Sequence, residues 1–270
     1  MYKNRKYYTV LLVCLFVIGI LSGCIKKTTP KTIVTKMVVN LSRVTSFAND
    51  ISVDVKLEDI IHVTEVSMDM AMENTLDPKA GHAKGTAGVK IFNTELTSPL
   101  EIYQVIEDGQ SVTYSGMDNI WQKTVSSDEG ITGFSLDGGL FQELETLVDQ
   151  FSLSEEPVEV NGKECYEIYG EIKGEDLISL VGEDLMNAYG IVEIPEKEAV
   201  YELLIPITID IYKEEMLPAR IFVDMTDEMN AFYDNIKESM NVNDFTIDIH
   251  FLNYNEVGEI TVPDEVKESI

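Results

Sequence analysis

The sequence predicts an α+β fold in which a strongly curved, open antiparallel sheet, an unclosed half-barrel, wraps around helices on its concave face. Three observations predict it. Segments with two-residue hydrophobic alternation follow one another along the chain, turn signals separate several of them, and a few helically periodic segments lie before and between them. Each predicted strand has one apolar and one polar face. The helices are too few to cover a flat sheet of so many strands, so the sheet must bend around them.

The first predicted element of this fold is a helix that begins at Pro30. Thr29 is a favoured N-cap residue, and proline is favoured at the first helical position. Apolar residues at helical spacing extend the prediction to about 18 residues. These residues are Ile33, Val34, Met37, Val38, Leu41 and Val44.

The pattern then changes to strict alternation, which predicts half-buried strands. Met68, Met70 and Met72 share the apolar face of the second strand. Asp108-Gly109 is a hairpin signal between two later strands. The predicted strands cover 51–58, 66–73, 87–91, 99–107, 110–116 and 119–125.

Helices and strands alternate in the second half of the chain. Helices are predicted at 138–151 and 174–189, and a third begins with Thr226 as cap and continues to Met240. Pro206 indicates an edge or a bulge within its strand. A strand at 158–160, the turn Asn161-Gly162 and a strand through Tyr166, Ile168 and Ile172 are predicted to form a hairpin. The remaining strands are predicted at 200–212, 217–225, 245–251 and 260–263.

The N-terminus has the pattern of a lipoprotein signal peptide. Three basic residues precede an apolar run from Val10 to Ile20, and Leu21-Ser22-Gly23-Cys24 forms a lipobox. We expect a signal peptide over 1–23, lipid on Cys24, a tether over 24–29 and one domain over 30–270. The alternative is a plain N-terminal transmembrane anchor. Either form places the domain at the extracytoplasmic face of the cell membrane, and lipidation of Cys24 makes the membrane a partner.

The charge balance excludes nucleic acid as a partner. The chain has 20 Lys and Arg against 48 Asp and Glu, and a formal net charge of −28. Binding to phosphate backbones needs clustered cations, which this composition does not provide. The same acidity keeps the surface away from anionic headgroups, so attachment depends on the lipid.

Few residues could support catalysis. Cys165 is the only thiol left after Cys14 and Cys24 are assigned to the signal peptide and the lipid, and its strand context predicts a buried, inert side chain. His62, His82 and His250 do not have metal-ligand spacing, and His62 and His250 are predicted to lie in strands. No nucleophile-elbow or phosphate-loop motif is present. The sequence therefore predicts a protein that is not an enzyme and uses no metal or cofactor.

Three segments make the chain resemble the LolA-like superfamily, in particular the lipid-anchored LppX/LprG-type lipoproteins. They are Asn119-Ile-Trp-Gln-Lys-Thr-Val125, then Ile205–Lys213 with Leu217-Pro-Ala-Arg-Ile221, and Phe251–Asn255 with Ile260–Asp264. The resemblance implies an unclosed β-barrel with helices over a hydrophobic cavity, and carriage of acylated molecules. LolA itself is unlipidated, whereas this chain has its own lipobox.

The apolar residues predict a function in lipid binding. Methionine is flexible and polarizable, so a methionine-lined face can repack around an irregular guest. The candidate cavity residues are Met68, Met70, Met72, Phe141, Leu144, Phe232 and Tyr233. An ordinary filled core explains the same residues. In that case the domain is a structural or sensory envelope module that binds a protein partner through an exposed apolar patch, to which Trp121 could belong. A transporter solute receptor is a weaker alternative, since it requires two lobes.

Overall fold

The computed structural model describes residues 28–92, 94–118, 120–126, 139–181 and 200–270. The predicted signal peptide, Cys24 and the later part of the predicted 174–189 helix lie outside these residues. The described helices are α1 Pro30–Leu41, α2 Gly139–Leu147, α3 Gly174–Val181, α4 Thr226–Ile236 and α5 Asp264–Glu268, with a 3₁₀ turn at Val148–Gln150. The described strands are β1 Ser46–Glu58, β2 Val63–Leu76, β3 Lys79–Ile91, β4 Thr94–Glu107, β5 Gln110–Met117, β6 Ile120–Ser126, β7 Ser152–Leu153, β8 Val158–Val160, β9 Lys163–Lys173, β10 Leu204–Tyr212, β11 Pro218–Asp224 and β12 Asn241–Leu252.

The strands form a single antiparallel sheet that does not close. The order is β6-β5-β4-β3-β2-β1-β12-β11-β10-β9-β7, with β8 paired to β9 beside β7. β1 and β12 therefore meet at the centre, although they lie at opposite ends of the domain sequence. This arrangement confirms the predicted α+β fold with an open, curved sheet.

One face of the sheet, the inner face, carries the hydrophobic core. Ile51, Val53 and Val55 of β1 lie opposite Ile249, Ile247 and Phe245 of β12, and all six side chains are buried. Buried residues of α1, α2, α3 and α4 belong to the same core cluster. The helices thus cover the inner face because each has an apolar stripe that must be removed from water.

Glycine is required at two places in this half of the sheet, at a close contact between two strands and in a tight turn. A Cβ atom on Gly85 would lie 1.9 Å from the carbonyl oxygen of Asp69, so only glycine lets β3 approach β2 there. In the β4–β5 turn, Asp108 and Gly109 have φ values of 51° and 78°, which confirms the predicted hairpin.

Helix α1 begins as predicted but is shorter. The Thr29 side chain accepts a hydrogen bond from the amide of Thr32 at 3.3 Å. The helix has 12 residues and ends at Leu41. Val44 lies in the following loop, and it is buried there without helical structure. The prediction of about 18 residues was wrong because a buried loop residue continued the apolar spacing.

The predicted start of β10 differs from the structure, whereas the prediction for Pro206 is confirmed. Val200 and Tyr201 are helical, and the strand begins at Leu204. Pro206 lies opposite Glu171 of β9, whereas pairing with β11 begins only at Ile207. This position is therefore an edge on the β11 side, where a missing amide is tolerated.

Helix α4 is fixed to the start of β12 by one side chain that the sequence analysis missed. Its N-cap is Met225 rather than Thr226. The helix ends at Ile236, so Met240 lies beyond it. Asn230 donates from Nδ2 to the carbonyl of Val242 at 2.7 Å and accepts from the Val242 amide at 2.8 Å.

The C-terminal segment packs on the other face of the sheet, the outer face, and 260–263 is not a strand. The prediction of a final strand was wrong because this segment packs through side chains and not through a backbone ladder. Val262 and Val266 form an outer cluster with Tyr103, Val112 and Tyr114.

Trp121 packs against this outer cluster as a partly buried side chain. Its ring centroid lies 6.1 Å from that of Tyr103. Hairpin and tail packing therefore account for Trp121, and it does not belong to an exposed apolar patch.

We expect Asn230→Ala to lower the free energy of unfolding by about 2 kcal/mol, because it leaves both backbone groups of Val242 without their partner. Chemical denaturation monitored by circular dichroism measures this change. Asn243→Ala is the matched control, since Asn243 makes exposed contacts to Asn241 and Glu58. Equal stabilities of the two variants would show that the two hydrogen bonds between Asn230 and Val242 do not stabilise the fold.

Candidate functional site

The structure brings the predicted ligand-binding residues together on the inner face. Met68, Met70 and Met72 follow one another along β2, and the four aromatic or leucine candidates lie on α2 and α4. All seven side chains are at most 7% exposed and belong to one core cluster. They are packed against protein atoms in this state, so a ligand here would have to displace or reorganise them.

The strand next to the methionines has small side chains. Ala83, Gly85 and Ala87 of β3 lie opposite Met72, Met70 and Met68 respectively. Small residues on β3 leave the flexible methionines without a large neighbour on that side. This pairing is favourable for a wall that changes shape, because methionine adopts several rotamers at small cost.

Toward the β3–β4 and β5–β6 turns, apolar side chains of the inner face are exposed. We call this region the open strip; it comprises Val89, Ile91, Leu96, Met117 and Ile120. Their exposed fractions are 36%, 43%, 70%, 45% and 70%. Leu100 lies opposite Met117 and is only 3% exposed. Exposure therefore falls along the inner face from the strip toward the methionine row.

Sequence analysis missed the open strip for an identifiable reason. The strand prediction began at 99, whereas β4 begins at Thr94. Leu96, Leu100 and Ile102 share one face in the alternating pattern, but Ser98 and Pro99 interrupt it. The spacing of Leu96 from Leu100 was the signal available.

The outer face has a groove of different chemistry. An open groove of about 420 Å³ is lined mainly by polar and charged side chains, among them Asp54, Lys56, Glu65 and Lys90. The Glu65 carboxylate forms ion pairs with Lys56 Nζ at 3.1 Å and with Lys90 Nζ at 2.7 Å. Burial, together with the charges of Asp69 and Asp244, raises the pKa of Asp54. The groove is unsuited to an acyl chain, because it would desolvate these charges.

A buried carboxyl group lies on the outer face of β10. Asp210 is 1% exposed, and its Oδ1 atom has no hydrogen-bond partner within the described ranges. Burial raises its pKa to about 6, with further raising by Glu167 and Asp248 and lowering by Arg220. Arg220 itself binds Asp248 through two hydrogen bonds of 2.7 and 2.8 Å, and its charge offsets only part of the rise in the pKa of Asp210.

The histidines and the cysteine are held in structural roles. His62 lies in the β1–β2 turn, not in a strand as predicted, and pairs with Asp59 at 3.1 Å. His82 stacks on Tyr103 with ring centroids 4.3 Å apart, and its Nε2 lies 3.0 Å from Glu101. His250 lies in β12, as predicted, with Nδ1 3.1 Å from Asn161 Oδ1.

Cys165 is a buried free thiol in β9, as predicted. Burial raises its pKa to about 11, which disfavours the reactive thiolate. Across the described ranges, His, Cys, Asp and Glu form no group of three or more that could hold a metal ion. None of the helices in the same ranges has the length and apolar character of a membrane span.

Comparison with known proteins gives a family and a fold. A family of unknown function (DUF6612) matches residues 29–270, and the chain belongs to it. The chain is similar to LprF from Mycobacterium bovis, with 15% identity and a TM-score of 0.50 over 87% of this chain and 95% of that one. This likeness is one of fold, and at that level it confirms the resemblance noted in the sequence.

Two further solved structures are more distant. The lipoprotein LppX from Mycobacterium tuberculosis has 14% identity and a TM-score of 0.43, over 86% of this chain and 98% of that one. A DUF1329 family protein from Desulfovibrio piger has 11% identity and a TM-score of 0.24, over 88% and 96%. No curated protein sequence matches the chain.

We compare the free energies of unfolding of Asp210→Asn and the wild type at two pH values. We expect the difference to favour the variant by about 1–3 kcal/mol more near pH 7.5 than near pH 4. A carboxyl group with a raised folded-state pKa contributes stability below its unfolded pKa, and that contribution is lost as pH rises through the folded pKa. With the folded pKa of Asp210 about 6 against 3.8, the loss falls between about pH 4 and 7. Asparagine does not ionise, so the variant does not lose this stability as the pH rises.

Urea denaturation of both proteins across this pH range checks the Asp210 prediction. Asp50→Asn, at an exposed position of β1, is the control. A stability difference that does not vary with pH would contradict the assignment of the raised pKa to Asp210.

Proposed function

We propose that this member of the DUF6612 family is a non-catalytic, membrane-anchored lipoprotein that binds an acyl chain or lipid on the inner face of its sheet. The observation that carries the proposal is the gradient along that face, from the exposed open strip to the buried methionine row. A linear apolar ligand could lie along this gradient and extend between sheet and helices by displacing methionine side chains. Burial of apolar area would drive binding at about 25 cal/mol per Å², before ordering costs.

The fold supports the same ligand class. The resemblance to lipid-anchored lipoproteins implies carriage of acylated molecules, and the likeness in fold to LprF extends over most of both chains. The outer face offers no comparable apolar surface at its groove, since charged residues line it. The inner face is therefore the better location for a lipid.

The alternative function, a module that binds a protein partner through an apolar patch, is favoured by one observation. The open strip is exposed, and the predicted cavity residues are packed against protein atoms. A protein partner could cover the strip without entering the core. The two functions differ in whether the isolated protein takes up lipid.

We expect the protein purified from membranes to carry lipid in native mass spectrometry, and to take up a labelled fatty acid after delipidation. We expect Leu96→Lys to weaken that uptake about tenfold or more, because a charge on the open strip would have to be desolvated against the acyl chain.

The control for the Leu96 variant is Thr97→Lys, an exposed position on the opposite face of the same strand. Leu96 is 70% exposed, so we expect both variants to fold as the wild type does. If neither co-purified lipid nor uptake is found in the wild type, the lipid-binding function is wrong and the protein-partner function is favoured. Equal uptake by the two variants would show that the fatty acid does not bind at the open strip.

We expect Cys24→Ser to abolish metabolic labelling with palmitate and to leave the signal peptide uncleaved, because the lipobox cysteine supplies the sulfur that is acylated. Gel mobility and radiolabel incorporation in cells check both effects. Cys165→Ser is the control, since that thiol is buried and should be unmodified. Unchanged labelling of Cys24→Ser would exclude the lipoprotein anchor.

A further inference from the structure

Two neighbouring hairpin turns at one end of the sheet expose large apolar side chains. The β1–β2 turn presents Ile60 and Ile61, which are 86% and 78% exposed, and the β3–β4 turn presents Phe92, which is 60% exposed. We call these three residues the apolar tip. The register pairs Glu58 with Val63 and Thr64 with Ile91, so both turns lie at the same level of the sheet.

The turns at the opposite end of these strands have different chemistry. The β2–β3 turn contains Asp77-Pro78 and the β4–β5 turn contains Asp108-Gly109. Among the described residues, the most exposed apolar side chains at the turns of the first four strands thus lie at one end. At the other end Ile106, beside the β4–β5 turn, is 40% exposed. Exposed apolar groups in such a concentration mark a contact surface.

The apolar tip is held in place by contacts that also satisfy its backbone. The Asp59 Oδ1 atom accepts hydrogen bonds from the amides of Ile61 at 2.6 Å and His62 at 2.8 Å. The Asp59 amide donates to the carbonyl of His62 at 3.0 Å. These bonds matter in an apolar medium, where unpaired backbone groups are costly.

The two turns also contact each other. The rings of His62 and Phe92 lie with centroids 5.4 Å apart, and the Phe92 amide donates to the Val63 carbonyl at 3.4 Å. Phe92 has a φ of 55°, a left-handed conformation that is uncommon for a bulky residue. The structure therefore presents the three side chains as one unit rather than as separate loose loops.

We propose that the apolar tip inserts into the hydrocarbon boundary of the cell membrane and docks the domain on the bilayer. The predicted anchor Cys24 lies only six residues before Pro30, and a tether of that length spans about 20 Å at most. The domain is therefore confined next to a bilayer, where isoleucine and phenylalanine side chains gain from leaving water. This inference rests on the proposed anchor at Cys24, but it goes beyond lipid binding and does not depend on it.

The charges near the tip indicate which lipids it contacts. Glu58, Asp59 and Glu95 flank the two turns, the nearby Lys56 and Lys90 are paired with Glu65, and the chain as a whole is strongly acidic. Anionic headgroups would repel this end of the domain, so docking should depend on apolar insertion into neutral lipid and change little with salt.

The experiment uses the mature protein, which lacks the signal peptide with Cys14 and is acylated at Cys24, reconstituted in phosphatidylcholine vesicles and labelled at one introduced cysteine. Cys165 is buried with a raised pKa, so an environment-sensitive dye at an introduced cysteine reports that position. We expect dyes at Ile61→Cys and Phe92→Cys to be quenched by lipids brominated in their acyl chains at least about threefold more than a dye at Gln110→Cys. Gln110 is the control because it is exposed at the opposite end of the sheet. Unfolding midpoints of the labelled variants show that each remains folded.

A second arm tests whether the apolar side chains cause the docking. We expect Ile60→Asp combined with Ile61→Asp to reduce the quenching of a dye at Phe92→Cys to the level of the Gln110 control. In the protein with Ile60 and Ile61 intact, we expect 0.5 M salt to leave the quenching of the same dye unchanged. Tip dyes that are quenched no more than the control in pure lipid vesicles would overturn membrane docking. If the same dyes were protected only in native cell membranes, the tip would contact a protein instead, which also overturns the proposal. Fatty-acid uptake is measured separately, so failure of either proposal is distinguishable from failure of the other.

Discussion

The pairing of β1 with β12 is the constraint on which the rest of the structure depends. The ladder runs from Ala48 opposite Leu252 to Glu58 opposite Asn241, and it joins the β1–β6 meander to the β9–β12 half of the sheet. It places one long row of apolar side chains on the inner face, and that row must be covered. Helices α1 and α4 cover it from two distant parts of the sequence. Closure of so long a chain segment is entropically costly, and the burial along this central pair offsets the cost.

Sequence reasoning predicted the fold class, most strands and the approximate positions of the helices, because alternation and helical spacing are local signals. The sequence-based prediction was wrong where the side chains showed neither alternation nor helical spacing. The first half of β3, with Ala80, Ala83 and Gly85, lacks large apolar residues, so the prediction covered only 87–91 of a strand that spans Lys79–Ile91. The C-terminal segment was called a strand from its Ile-Thr-Val sequence, although tertiary packing against Tyr103 decides its structure.

The candidate site was predicted unevenly for the same physical reason. The methionine row follows from strict alternation in β2, and the structure brings it together with the aromatic residues of α2 and α4. The open strip and the apolar tip depend on which surfaces remain uncovered, and that is a property of the assembled sheet. Ile60 and Phe92 are unremarkable apolar residues in the sequence. Only the register places them at the same end and leaves them exposed.

The open strip and the apolar tip share an element, and this relation connects the two proposals. Ile91 belongs to the open strip, and the next residue, Phe92, belongs to the apolar tip. A bilayer that accepts Phe92 therefore lies beside the exposed end of the inner face. Leu96, two residues into β4 beyond Thr94, continues the apolar surface toward Leu100 and the buried core. An acyl chain leaving the bilayer at this end would meet mainly apolar side chains, without crossing the charged outer face.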